Sequence, residues 1–104
     1  MGLAENKTYI SQYLDGVKKI ALEISQEDIS KVIDCFFDCW KNGNTIFLIG
    51  NGGSAGTASH FACDLNKVTA CEGKKRLKAM SLVDNAPLLT ALVNDNGWDH
   101  IYTE

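Results

Sequence analysis

The chain has 104 residues, 45% of them hydrophobic and 22% charged, with a formal net charge of −3. That balance suits one small globular domain; it leaves no basic surplus for nucleic acid and no apolar run long enough to span a membrane. The first residues lack the charged start and apolar core of a secretory signal, so a cytoplasmic setting is the expectation.

Apolar residues at Ile10, Tyr13, Leu14, Val17, Ile20, Ala21 and Ile24 recur at spacings of three and four, which predicts an amphipathic helix over about 6–24. Ser25 to Asp28 resembles a capping arrangement, and a second helix follows over about 26–41. Its apolar stripe holds Ile29, Val32, Ile33, Phe36, Phe37 and Trp40. That is more apolar surface than a short chain covers by itself, so the stripe reads as part core and part contact between subunits. Gly43 is placed to end the helix in a left-handed cap. Cys35, Cys39, Cys63 and Cys71 read as small buried hydrophobes, neither a disulfide framework nor a zinc cluster.

Thr45 to Ile49 is a continuous apolar run, which predicts a strand buried on both faces. Gly50, Gly52 and Gly53 then break it, Ser54 is placed as a helix N-cap, and small residues carry a helix to about 67. Strand, glycine loop and helix start make a phosphate-binding geometry. Glycines allow close approach of the backbone, and the N–H groups at a helix N-terminus point at the anion. No Lys follows the glycines as in a Walker A loop, and the third glycine of the dinucleotide fingerprint is absent. His60 and Asp64 are four residues apart, so they share one face of this helix.

The segment 68–76 reads as a solvated loop, although Lys74, Lys75 and Arg76 are adjacent cations. Residues 77–83 predict a second strand, parallel to the first across the helical crossover. Asp84-Asn85 caps a short helix with Pro87 in its first turn, Asn94-Asp95-Asn96-Gly97 reads as a turn, and a further helix starts at Trp98. The fold class is therefore α/β: two N-terminal helices over 1–44, then a βαβα unit over 45–104, within a single domain. Two parallel strands do not make a stable open sheet by themselves, so Glu104 reads as a break inside a domain.

Two blocks carry a family resemblance. Gly50-Asn-Gly-Gly-Ser-Ala with Ala58-Ser-His60-Phe-Ala-Cys-Asp64-Leu65 is one; Ser81-Leu-Val-Asp84-Asn85 with Leu89-Thr-Ala and Asn94-Asp95-Asn-Gly97 is the other. Together they resemble the sugar isomerase (SIS) domain family, and within it the phosphoheptose isomerases. The resemblance implies the N-terminal half of a doubly wound parallel sheet, and isomerisation of sedoheptulose 7-phosphate to a heptose 7-phosphate through an enediol. By position, it implies that Asn51, Gly52, Gly53 and Ser54 contact the sugar phosphate, and that Asn94 and Asp95 form a second contacting pair. Asp84 and Asn85 stand at the end of the second strand, where open parallel sheets bind ligands. His60 matches a zinc-binding position, and Asp64 matches the acidic position that is both metal ligand and catalytic base. Homotetramer assembly through the N-terminal helices is also implied.

Such chemistry needs a base, a proton carrier and something to hold the developing negative charge. Phosphoheptose isomerases usually carry Glu where this chain has Asp64, and a misplacement of roughly 1 Å can cost on the order of a hundredfold in rate. That change keeps a second function in view: a non-catalytic SIS module that senses a sugar phosphate or binds a protein partner. The resemblance places the remaining zinc and acid–base residues after position 104. The 104-residue chain by itself is therefore expected to bind zinc weakly and to lack turnover.

Overall fold

The computed structural model describes residues 2–104. The elements in order are α1 (Leu3–Glu23), α2 (Gln26–Asn42), β1 (Thr45–Leu48), α3 (Gly53–Lys67), β2 (Lys78–Ser81), α4 (Ala86–Asn96) and a 3-10 turn at Trp98–His100. They fall into two compact units, one ending at Ile33 and the other running from Asp34 to Glu104. Among the described residues, no helix is long and apolar enough to cross a membrane.

The first unit is helical. Leu3 to Glu23 form a longer helix than the periodicity predicted, and none of its residues is buried. The start of α2 is capped as expected: Ser25 Oγ accepts from the Asp28 N–H at 3.1 Å. Lys31 pairs with Glu27 at 2.8 Å and Asp28 at 3.5 Å, one turn away along the same helix.

The second unit carries the sheet. β1 and β2 pair in parallel with Thr45 opposite Lys78 and Leu48 opposite Ser81. α3 connects them and covers one sheet face, burying Ala58, Ala62 and Leu65, while Ile46 is 8% exposed beneath it. Phe47 is 59% exposed on the other face. The expectation of a strand buried on both faces is thus corrected: the strand alternates because helix covers only one side of it.

Gly43 ends α2 at φ +71, as the sequence predicted. The N–H of Asn44 reaches back to the Cys39 carbonyl at 2.9 Å. The basic run before β2 completes this end. Lys75 Nζ donates to the Lys41 carbonyl, Lys78 Nζ to the Gly43 carbonyl at 3.2 Å, and Arg76 to the Asn66 carbonyl at the end of α3 at 3.2 Å. Trp40 Nε1 closes the arrangement on the Lys75 carbonyl at 2.7 Å. Cations at helix C-termini are favoured there by the helix dipole.

Three expectations about local structure are corrected. Asn94-Asp95-Asn96 forms the last turn of α4 and not a separate turn. The Asn94 amide donates to the Asp95 carboxylate at 3.0 Å, so neither side chain competes for the backbone as it would in a turn. The helix expected from Trp98 is only a 3-10 turn, followed by Ile101 in the core. The cysteines are not buried: Cys35, Cys63 and Cys71 are exposed and Cys39 is half-buried.

Candidate functional site

Gly52, and not Ser54, is the N-cap of α3, with φ +56 and ψ −119, a backbone conformation that a side chain resists. The helix begins at Gly53, so Ser54 sits inside its first turn. The Ser54 N–H closes on the Asn51 carbonyl at 3.0 Å, and the Ala55 N–H on the Gly52 carbonyl at 3.1 Å. The backbone N–H groups of Asn51, Gly52 and Gly53 have no hydrogen-bond partner among the described residues. Three successive unpartnered donors at a helix N-terminus are an anion-binding arrangement. Gly50 makes the tight turn: a Cβ there would lie 2.4 Å from the Ser54 carbonyl carbon and oxygen. A Cβ on Gly53 would meet nothing within 4 Å, which leaves open space above the loop.

Two shallow depressions flank α3. One, of about 510 Å³, is lined by Gly53, Gly56, Thr57, His60, Phe61 and Asp64. The structure therefore brings one glycine of the loop together with the predicted acid–base pair. His60 Nε2 and Asp64 Oδ1 are 3.6 Å apart, with side chains 78% and 51% exposed. His60 lies two residues from both Ala58 and Ala62, about 200° around the helix, which puts it opposite the face buried on the sheet.

The other depression, of about 590 Å³, has Ser59, Asn66, Ser81, Asp84 and Asn85 in its lining. Here each predicted side chain has an internal partner. Ser59 Oγ donates to Asp84 Oδ1, and Asn85 caps α4 by accepting from the Leu88 N–H at 3.1 Å. Asn94 and Asp95 line neither depression.

The sequence reading passed over Thr57, Ser59, Phe61 and Asn66. Thr57 Oγ1 donates to the Gly53 carbonyl at 3.2 Å and holds the first turn of α3. Asn66 is the stronger omission. Its amide donates to the Ala79 carbonyl at 2.7 Å and accepts from the Ala79 N–H at 3.0 Å, so one side chain satisfies both backbone groups of an edge residue of β2. The signal was present: Ala58, Ala62 and Asn66 recur every fourth residue, placing a polar group in line with the buried face.

A zinc ion would find two donors in His60 and Asp64. Among the described residues no three His, Cys, Asp or Glu side chains converge, and zinc sites use three or four protein ligands. These residues by themselves do not fit a zinc centre.

Residues 8–104 match the family model of the SIS domain. The lincomycin biosynthesis protein LmbN of Streptomyces lincolnensis is 38% identical over 86 residues, which is 83% of this chain and 31% of that protein. The phosphoheptose isomerase of Aliarcobacter butzleri is 37% identical over 95 residues, 89% of this chain and 50% of that protein. The solved structure of phosphoheptose isomerase GmhA from Neisseria gonorrhoeae matches with a TM-score of 0.80 at 29% identity, covering 98% of this chain and 52% of that one. The chain thus spans about half, or less, of the length of these relatives. Its helices and parallel strand pair match the N-terminal portion of the SIS fold, and the chain belongs to the SIS domain family.

Proposed function

We propose that the chain carries the sugar-phosphate site of a cytoplasmic aldose–ketose isomerase, with sedoheptulose 7-phosphate as substrate and an aldoheptose 7-phosphate as product. The observation that carries this reading is the loop. Asn51, Gly52 and Gly53 present unpartnered N–H groups, and Gly53 lines the same depression as His60 and Asp64. Homologues named phosphoheptose isomerase support the reaction class.

The phosphate is held by the loop donors, with Ser54 beside them. The Asp64 carboxylate takes the proton from the carbon next to the carbonyl, and an enediol forms. Returning that proton to the neighbouring carbon completes the exchange of aldose and ketose. His60, one turn away, serves the substrate oxygens. Zinc would supply Lewis-acid stabilisation of the oxyanion only where further ligands from outside these residues join His60 and Asp64. Asn94 and Asp95 contact substrate by resemblance, as do Asp84 and Asn85. Assembly is proposed as a homotetramer through α1 and α2, whose Ile10, Tyr13, Val17, Ile29, Val32 and Ile33 are exposed.

The test is calorimetric titration of the full-length protein with sedoheptulose 7-phosphate, with exchange of the substrate's C–H proton against solvent deuterium followed in parallel. Binding with exchange supports the isomerase. Binding without exchange favours the second reading, a non-catalytic SIS module that senses the sugar phosphate or binds a protein partner. Two observations favour that second reading: the shorter carboxylate at Asp64, and the separation of Asp84 and Asn85 from the His60 depression. Absence of binding defeats both.

A further inference from the structure

The depression beside the glycine loop contains one large apolar side chain. Apart from Phe61, its lining residues Gly53, Gly56, Thr57, His60 and Asp64 are all small or polar. At about 100° per residue, Gly53, Thr57, His60, Phe61 and Asp64 fall within an arc of about 100° on one side of α3. Along the helix the order is Gly53, Thr57, Phe61, Asp64. A sugar whose phosphate lies at the loop therefore passes Phe61 before it reaches the carboxylate.

Phe61 is held from one side. The Phe36 ring of α2 lies 5.9 Å from it between centroids and is tilted by 44°, a contact of the kind aromatic pairs favour. Phe36 is half-buried, whereas Phe61 stays 42% exposed. One part of the Phe61 ring is thus fixed by α2, and another part lines the depression.

The ring also stands next to the base. Phe61 and Asp64 are three residues apart, so their Cβ atoms are about 5–6 Å from one another. Side chains on a helix lean toward its N-terminus, which brings the Asp64 carboxylate back over the turn that carries His60 and Phe61. Its 3.6 Å approach to His60 follows that direction. The carboxylate is therefore bordered by an imidazole and by a ring that offers water no hydrogen bond.

We propose that Phe61 is the wall of this site that touches the sugar carbons and keeps water from the Asp64 carboxyl during turnover, with Phe36 as the positioning residue that holds it. The inference rests on the isomerase reading. Asp64 takes a proton from the carbon beside the carbonyl and delivers it to the former carbonyl carbon. One substrate oxygen gains a proton and its neighbour loses one, so no co-reactant is needed. While the proton is on Asp64 it has two fates: delivery to carbon, or exchange with water. The open part of the Phe61 ring packs against the C–H face of the bound sugar, and the two together close the carboxyl off from solvent.

The experiment is turnover of sedoheptulose 7-phosphate by the full-length protein in deuterated water. At early conversion, mass spectrometry reads the share of product that still carries the substrate's own proton at the carbon that received it. The parent should retain a measurable share. Phe61→Ala should lower that share severalfold and lower kcat/KM on the order of tenfold, the size of a missing apolar contact in a pocket. Phe61→Leu keeps apolar bulk, should fall between the two, and serves if the Ala variant does not fold. Phe36→Leu should lower the share less than Phe61→Ala. A purely structural role would reduce the amount of active enzyme and leave the share retained per turnover unchanged. No turnover by the parent overturns the isomerase reading and this inference with it. Turnover in which every product molecule carries solvent deuterium overturns the inference alone, as does a retained share unchanged in both Phe61 variants.

Discussion

Ser59 donates its hydroxyl hydrogen bond to the Asp84 carboxylate and stands 3.4 Å from Ser81 Oγ, so α3 is fastened to the C-terminal end of β2 by polar contacts. The neighbouring buried residues are small, Ala58 and Ala62, and by themselves fix the rotation of the helix weakly. Ser59 immediately precedes His60. The bond therefore bears on which way the His60–Asp64 face points.

Replacing Ser59 with Ala should destabilise the chain by about 1 kcal/mol, the net worth of an ordinary hydrogen bond, because solvent exposure offsets the gain from the charged acceptor. Urea unfolding measures it. Asp84→Asn keeps an acceptor and should cost less. Equal stability of Ser59→Ala and the parent would show that the contact carries no weight in solution.

The glycines of the loop should separate cleanly. Gly50→Ala drives a Cβ to 2.4 Å from the Ser54 carbonyl, a clash with backbone that cannot swing away. It should cost about 3 kcal/mol, at the upper end of overpacking penalties. Gly53→Val points its side chain into open space and should leave the chain folded. It should nevertheless abolish sugar-phosphate binding, because the branched side chain occupies the place of the anion. A Gly53→Val chain with unchanged affinity in calorimetry would move the phosphate elsewhere.

Zinc should bind weakly. His60 and Asp64 are two exposed donors, and a stable site needs further ligands and partners that orient them. Titration against a colorimetric chelator should show affinity lost in His60→Ala. Tight zinc binding that survives His60→Ala would place the metal at other residues.

Self-association should run through α1 and α2. Tyr13, Val17 and Ile20 on α1 and Ile29, Val32 and Ile33 on α2 are exposed in the single chain. Apolar patches of this kind mark interfaces. Sedimentation should show a concentration-dependent oligomer, which Val32→Glu with Ile33→Glu should dissociate. A parent chain that stays monomeric at high concentration, with its helical circular dichroism intact, would count against the proposal.

What the sequence determined by itself is local. Helix periodicity, the Ser25 and Asn85 caps, the left-handed Gly43 and the glycine break after β1 each depend on residues a few positions apart. Short-range sterics and hydrogen bonding act there with little help from the rest of the chain. Tertiary structure decided what depends on distant residues coming together. Which face of β1 is covered follows from where α3 lies. Lys75, Arg76 and Lys78 turned out to complete helix ends 10 to 35 residues away, a role that no run of charges announces. The division of the predicted site residues was likewise invisible in order along the chain. His60 and Asp64 face away from the sheet and Asp84 faces Ser59, because the small residues of α3 can be buried on only one side of a helix.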